Sequence, residues 1–215
     1  MKTACLLTAM TAVLLVAADA PPDVRWTFEN AQLGKLPEGW SSAKAVKGPG
    51  SVWKIVKDDS APSGPRVLAQ TSSAGSNAQF NLCVLDQAAY ADVEIAVSFK
   101  AVQGRFDRGG GPVWRYQDAN NYYICRQNPL EDNFRLYKVV NGRRRQLASI
   151  RSNAKPGFWH TIHVTMRGDR IQCSVDNQKL DVQDQTITKA GKVGLWTKAD
   201  AVTHFDDFHI HNLAK

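Results

Sequence analysis

The sequence predicts an all-β fold, a two-sheet antiparallel sandwich or a barrel. Three observations carry this. Short runs rich in Val, Ile, Phe, Tyr and Trp recur between Gly, Asn, Asp and Pro turn signals, at the roughly 8–12-residue spacing of such folds. Val93–Val102 (VEIAVSFKAV) alternates apolar and polar residues, the period of a strand with one buried face. No stretch after residue 20 sustains a helical period, and the best helical candidate is one turn around Leu85–Ala91.

The elements follow in order. Val24–Phe28 alternates and leads into GKLPEGW, a turn-rich connector. Strands are expected over 52–56, 66–71, 79–85 and 93–102, with DDSAPSGPR as a loop between the first two. A central block supplies 113–117, 121–127 and 133–140. Asn141-Gly142 is the strongest short hairpin signal in the chain, and 146–150 pairs back. Strands over 159–167, 170–175 and 179–182 form a meander with turns at Gly168-Asp169 and Asp176-Asn177. Runs 193–196 and 204–211 close the domain.

The first twenty residues, MKTACLLTAMTAVLLVAADA, stand apart. Lys2 is a charged n-region, Leu6–Val16 an apolar h-region and Ala18-Asp19-Ala20 an A-x-A cleavage site. The expectation is a signal peptide over 1–20, a single domain over 21–215 and a secreted or periplasmic product. N-terminal sequencing of exported material should begin at Pro21; intact Met1 in that fraction would overturn the assignment. No later stretch is long and apolar enough to span a bilayer as a helix.

The formal charge is +7. Between Asn133 and Gly168 there are bases, among them Arg143, Arg144 and Arg145, and no acid. Such a stretch attracts anions or forms a solvated face. Nucleic acid is a poor partner for an exported protein whose strand pattern fits no DNA- or RNA-binding module. Cys83, Cys125 and Cys173 each fall inside a strand-like run, which suits buried thiols better than a disulfide framework.

The chemistry concentrates in Gly109–Arg145, where Trp114, Tyr116, Tyr122, Tyr123, Phe134 and Tyr137 are interleaved with Arg115, Arg126, Arg135 and Lys138. Aromatic faces beside forked cationic donors are what a protein needs to stack on sugar rings and hold their hydroxyls or acidic substituents. The other reading of the same pattern is inter-sheet core with solvated charges outside.

Three phrases carry a family resemblance: WTFENAQLGKLPEGW (26–40), GGGPVWRYQDANNYYICR (109–126) and GKVGLWTKADAVTHFDDFHI (191–210). With GFWHTIHV they resemble the concanavalin A-like jelly-roll superfamily, and within it the bacterial secreted 3-keto-disaccharide hydrolase-like domain. The resemblance implies two curved antiparallel sheets with a glycan across the concave one. It places Trp114, Arg115, Tyr123, Arg126, Tyr137, Trp196 and Lys198 in strands around that sheet, and alternation lets about half of them face it. Glucanases of the superfamily carry alternating carboxylates, as E-x-D-x-x-E; no run here fits. Relatives of the keto-disaccharide type carry an acid on the strand before the Gly-rich loop, where this chain has Lys100.

In jelly rolls the first and last strands lie side by side. Glu29 and Asp207, at those strands, are therefore the candidate ligands for a structural calcium ion. His209 and His211 share a strand face but lack a third zinc-type ligand. The expected function is a secreted, monomeric carbohydrate-binding module, for a saccharide that includes acidic ones. A glycoside hydrolase or lyase and a structural surface domain are the alternatives. A carboxylate pair facing the concave sheet would favour the enzyme, aromatics facing it without acids the binding module, and a concave face filled by long aliphatic side chains the structural protein.

Overall fold

A computed structural model describes residues 21–214. The signal-peptide assignment lies outside the described residues. Fifteen strands, and no helix among the described residues, form two antiparallel sheets.

The eight-stranded sheet runs β13 (Gln178–Gln183), β12 (Arg170–Val175), β11 (Trp159–Arg167), β6 (Val93–Gln103), β15 (Val202–Asn212), β4 (Arg66–Gln70) and β3 (Trp53–Lys57), with β1 (Val24–Trp26) paired to the far half of β15. The seven-stranded sheet runs β10 (Arg143–Arg151), β9 (Asn133–Val140), β8 (Asn121–Asn128), β7 (Gly110–Asp118), β14 (Lys192–Lys198), β5 (Phe80–Leu85) and β2 (Trp40–Lys44). This is the jelly-roll sandwich. Strands β7 to β10 are a meander, so the Gly-rich and aromatic block folds onto itself before the chain crosses to the other sheet.

Two local expectations change. Trp40–Lys44 falls at the end of the segment read as a connector, yet it forms β2, pairing Trp40 with Leu85 through Lys44 with Asn81. Its sequence, WSSAK, has too little apolar content to read as a strand alone. The segment after β5 is irregular rather than helical, with Tyr90 bridging to Gly191. The Asn141-Gly142 turn is as expected: both residues have positive φ, 51° and 73°, as a type I′ hairpin requires.

The sheets differ in how they are buried. β12 alternates exposed and buried residues, so the eight-stranded sheet has one face toward the core and one toward water. In contrast, β5 is buried at every position and β8 at all but its first. Such strands need cover on both sides. Tyr123 and Cys125 of β8 point into the inter-sheet core, where they meet Val97, Phe99, Ile162 and Val164. Tyr122 and Ile124 point outward into a second apolar cluster with Phe80, Val113, Tyr137, Val139 and Trp196. Cys83, Cys125 and Cys173 are free and buried. Burial raises the thiol of Cys125 well above its ordinary pKa, and neighbouring Cys173 raises it further.

The Gly-rich run has a steric reason. A Cβ at Gly109 or Gly111 would lie 2.2 or 2.0 Å from the carbonyl oxygen of Gln127 or Cys125. The start of β7 thus presses against β8 more closely than any side chain permits.

Candidate functional site

The outer face of the seven-stranded sheet carries a charged cluster beside its apolar patch. β8 contributes Arg126 and Asn128, β9 contributes Arg135 and Tyr137, β10 contributes Arg144, and β14 contributes Trp196 and Lys198. Two loops bring acids to it. Asp107 comes from the segment between β6 and β7, and Glu131 from the turn between β8 and β9.

Arg126 is 1% exposed. It donates from Nη1 to Asn133 Oδ1 at 2.8 Å and from Nη2 to Glu131 Oε2 at 2.9 Å, while its Nε has no partner. Glu131 also receives Arg135 Nη1 at 3.2 Å and Asn133 Nδ2 at 3.1 Å. Burial works to raise the Glu131 pKa, but the Arg126 guanidinium, with Asn133 and Arg135, outweighs it and holds the group below its ordinary value.

Asp107 is the opposite case. It is 1% exposed, accepts Asn128 Nδ2 at 3.2 Å on Oδ1, and has no hydrogen-bond partner on Oδ2. Lys198 Nζ stands 3.7 Å from that oxygen. Burial raises the Asp107 pKa to about 6, overcoming the pull of Arg126, Lys198 and Arg144. Two carboxylates near one arginine thus have their pKa values pushed in opposite directions, Asp107 up and Glu131 down.

Asp107 is held from below by Asp200. The backbone N–H groups of Arg105, Phe106 and Asp107 donate to the Asp200 carboxylate at 2.7, 3.0 and 3.0 Å. An irregular loop gains a rigid seat this way. Asp200 follows directly on Lys198 and Ala199, so one turn positions both the acid and its cation.

The rings are covered. Phe80 and Trp196 pack 5.4 Å apart, and Trp196 Nε1 donates to Tyr122 Oη at 3.2 Å. The Arg144 guanidinium lies over Tyr137, Phe80 and Trp196, with its carbon 4.5, 5.3 and 5.8 Å from the ring centres. Trp196 is consequently 0% and Tyr137 4% exposed. The aromatic surface is a lidded one, not an open groove.

A sequence profile of the 3-keto-alpha-glucoside-1,2-lyase-like domain matches residues 28–211. The chain belongs to this family. No curated protein sequence matches this chain. Among solved structures it is similar to a carbohydrate-binding module of family 66 from Bacillus subtilis, with a TM-score of 0.64 and 18% identity over 81% of this chain and 96% of that one. It is also similar to the Bacillus licheniformis beta-glucanase, with a TM-score of 0.61 and 13% identity over 90% and 100% of the two chains. A xylan beta-1,4-xylosidase from Bacillus halodurans gives a TM-score of 0.60 at 12% identity, and there the lyase-like domain covers 91% of itself but 40% of the xylosidase. At these identities the likeness is one of fold.

Of the seven residues expected around the groove, the lyase-like domain brings Arg126, Tyr137, Trp196 and Lys198 together on one face. It places the other three elsewhere. Trp114 and Tyr123 stack on each other at 5.8 Å inside the inter-sheet core, both 0% exposed, with Tyr123 Oη donating to Asp184 Oδ1 at 2.6 Å. Arg115 sits where the ladder between β7 and β8 is irregular, with φ of 46°, and donates to the carbonyls of Ala91, Ile187 and Gly168. It ties three loops together.

Lys100 belongs to the opposite sheet, where it pairs with Asp58, donates to Ser60 Oγ at 2.9 Å and lies 5.2 Å from the Trp159 ring centre. The acid that does reach the cluster, Asp107, comes from the irregular loop after β6. The sequence signals for Asp107 and Arg144 were weak for different reasons. Asp107 lies in a segment with no period. Arg144 stands in a triple-arginine run whose middle member turns inward.

Glu29 and Asp207, the residues expected to hold calcium, each have a partner within the protein. Glu29 Oε1 accepts the backbone N–H of Arg66 at 2.8 Å, and Asp207 Oδ1 accepts Arg25 Nε at 2.9 Å. Among the described residues, no group of three or more Asp, Glu, His or Cys side chains is placed to hold a metal. A cleft of about 450 Å³ runs beside β1, lined by Trp26, Phe28, Glu29 and Glu38. A larger cleft of about 620 Å³ is lined by Lys138, Arg143, Arg145 and Thr186.

Proposed function

We propose that the outer face of the seven-stranded sheet binds a sugar, and that Asp107 makes it a lyase site. The observation that carries this reading is Asp107: buried, raised to about 6, with Oδ2 unpartnered and a lysine 3.7 Å away. A group with that pKa is mostly ionised at neutral pH yet basic enough to take a proton from carbon. The face carries aromatics and a carboxylate pair together, which favours an enzyme over a pure binding module.

The family's description names the chemistry to test. In a 3-keto-glucoside the C2 proton is acidified by the adjacent carbonyl. A base removes that proton, its electron pair becomes the C1=C2 double bond, and the C1–O bond breaks with the electrons leaving on oxygen. Asp107 would receive the proton. Lys198 and Arg126 would stabilise the negative charge that builds on the C3 oxygen, as fixed donors in a desolvated site do. Glu131 stays ionised and keeps Arg126 in place.

The test is direct. Protein comprising residues 21–215 is mixed with p-nitrophenyl 3-keto-α-glucoside, and nitrophenol and the conjugated enone are followed by absorbance. Both should appear in equal amounts, with the rate falling about 10²–10⁴-fold in Asp107→Asn, the usual worth of a positioned base. Saturable sugar binding without either product would return the protein to the binding-module reading.

A further inference from the structure

The charge balance of this site is uneven. Four cations, Arg126, Arg135, Arg144 and Lys198, face two carboxylates, Asp107 and Glu131. Glu131 is shared by Arg126 and Arg135, and Lys198 is the neighbour of Asp107. Arg144 is the cation left over. Its side chain makes no hydrogen bond or ion pair with any described residue, and its Nη1 is buried without a partner.

A guanidinium in that position is costly. Ring faces attract it, but they do not replace the hydrogen bonds that water gave its N–H groups. Burial lowers the Arg144 pKa, the direction expected of a cation held away from solvent. A protein that only needed to cover three rings would do so with an aliphatic or aromatic side chain at less expense in solvation. The planar fork of arginine suits carboxylate and sulfate groups, which it receives through two parallel hydrogen bonds.

We infer that the sugar taken by this site carries an anionic substituent, and that Arg144 is the residue that receives it. This rests on the sugar-binding reading above and adds the substrate class. The position of Arg144 supports the role. It lies on β10, the edge strand of the sheet, two residues past the Asn141-Gly142 turn, so its side chain reaches the cluster from the rim. Arg143 and Arg145 flank it in the strand and are exposed, pointing to the other side by alternation. The guanidinium is thus both the cover over Tyr137 and Trp196 and a cation with an N–H group left for a ligand.

The experiment measures dissociation constants by titration calorimetry for three matched disaccharides: a neutral glucose disaccharide, its glucuronate counterpart and its 6-sulfate. The wild type should bind one of the anionic forms about tenfold more tightly than the neutral one, the size of one charge-assisted interaction. The better of the two names the anion as carboxylate or sulfate ester. Arg144→Gln should bring the anionic and neutral constants within about twofold of each other, and Arg144→Lys, which keeps the charge but loses the fork, should fall between. Arg143→Gln removes the same net charge one residue away and should leave the preference intact, which separates contact from long-range attraction. Neutral binding as tight as anionic binding in the wild type would overturn the inference and leave the sugar reading standing. So would an anionic preference that survives Arg144→Gln. Failure of all three disaccharides to bind folded protein would also overturn the inference, while the sugar reading stands or falls on the 3-keto-glucoside assay.

Discussion

Asp107→Asn is expected to stabilise the fold at neutral pH while silencing the site. The folded-state pKa of about 6 lies above the ordinary 3.8, because burial penalises the carboxylate. The folded protein therefore holds this proton more tightly than the unfolded chain does. Stability declines as pH rises through the window from 3.8 to about 6, and the penalty is complete above it. At ~1.4 kcal/mol per pKa unit, the ionised group costs about 2–3 kcal/mol at neutral pH. Asn keeps the shape and removes the charge, so the melting temperature at about pH 7.5 should rise by roughly 5 °C for a domain of this size, with the difference vanishing near about pH 3.5. A variant that melts lower than the wild type at neutral pH would show that the carboxylate is well solvated or paired, and the site assignment would lose its main support. Stability gained where function is lost is the usual relation between a strained catalytic group and its neutral replacement.

Trp114→Ala should act in the opposite sense, as a core lesion without effect on site chemistry until the protein unfolds. The indole is fully buried between the sheets, stacked on Tyr123 at 5.8 Å, and its Nε1–H points at Met166 Sδ at 2.9 Å. Truncation leaves a cavity that the surrounding strands, locked by ladders on both sides, fill poorly. The expected loss is about 3–5 kcal/mol, read as a shift of the denaturant midpoint with unchanged slope. A loss under about 1 kcal/mol would mean that the sheets close over the gap. A selective loss of sugar binding at full stability would return Trp114 to the ligand set from which the structure removes it.

The same contrast explains what was readable in the site. Arg126, Tyr137, Trp196 and Lys198 were recognisable as aromatic and cationic positions on neighbouring strands, and they do share a face. Trp114 and Tyr123 had equal credentials and lie on the opposite face of the same sheet. Tyr122 and Tyr123 show why. Adjacent in sequence and alike in chemistry, they point to opposite sides, and no property of either says which side is inside. Alternation sorts residues into two sets. Where both faces of a strand are apolar, it does not label the sets.

The sequence by itself determined the all-β class, the position of nearly every strand and the Asn141-Gly142 hairpin, because period and turn chemistry are local properties that each segment carries within itself. Tertiary structure alone decided which face of the seven-stranded sheet meets the other sheet. It also brought Asp107 on its Asp200-held loop to Lys198 and Arg126, and turned Arg144 inward between two exposed arginines. These are long-range pairings, Asp107 with Lys198 across 91 positions of sequence. Their energies come from burial and charge summed over several strands, so no single segment encodes them.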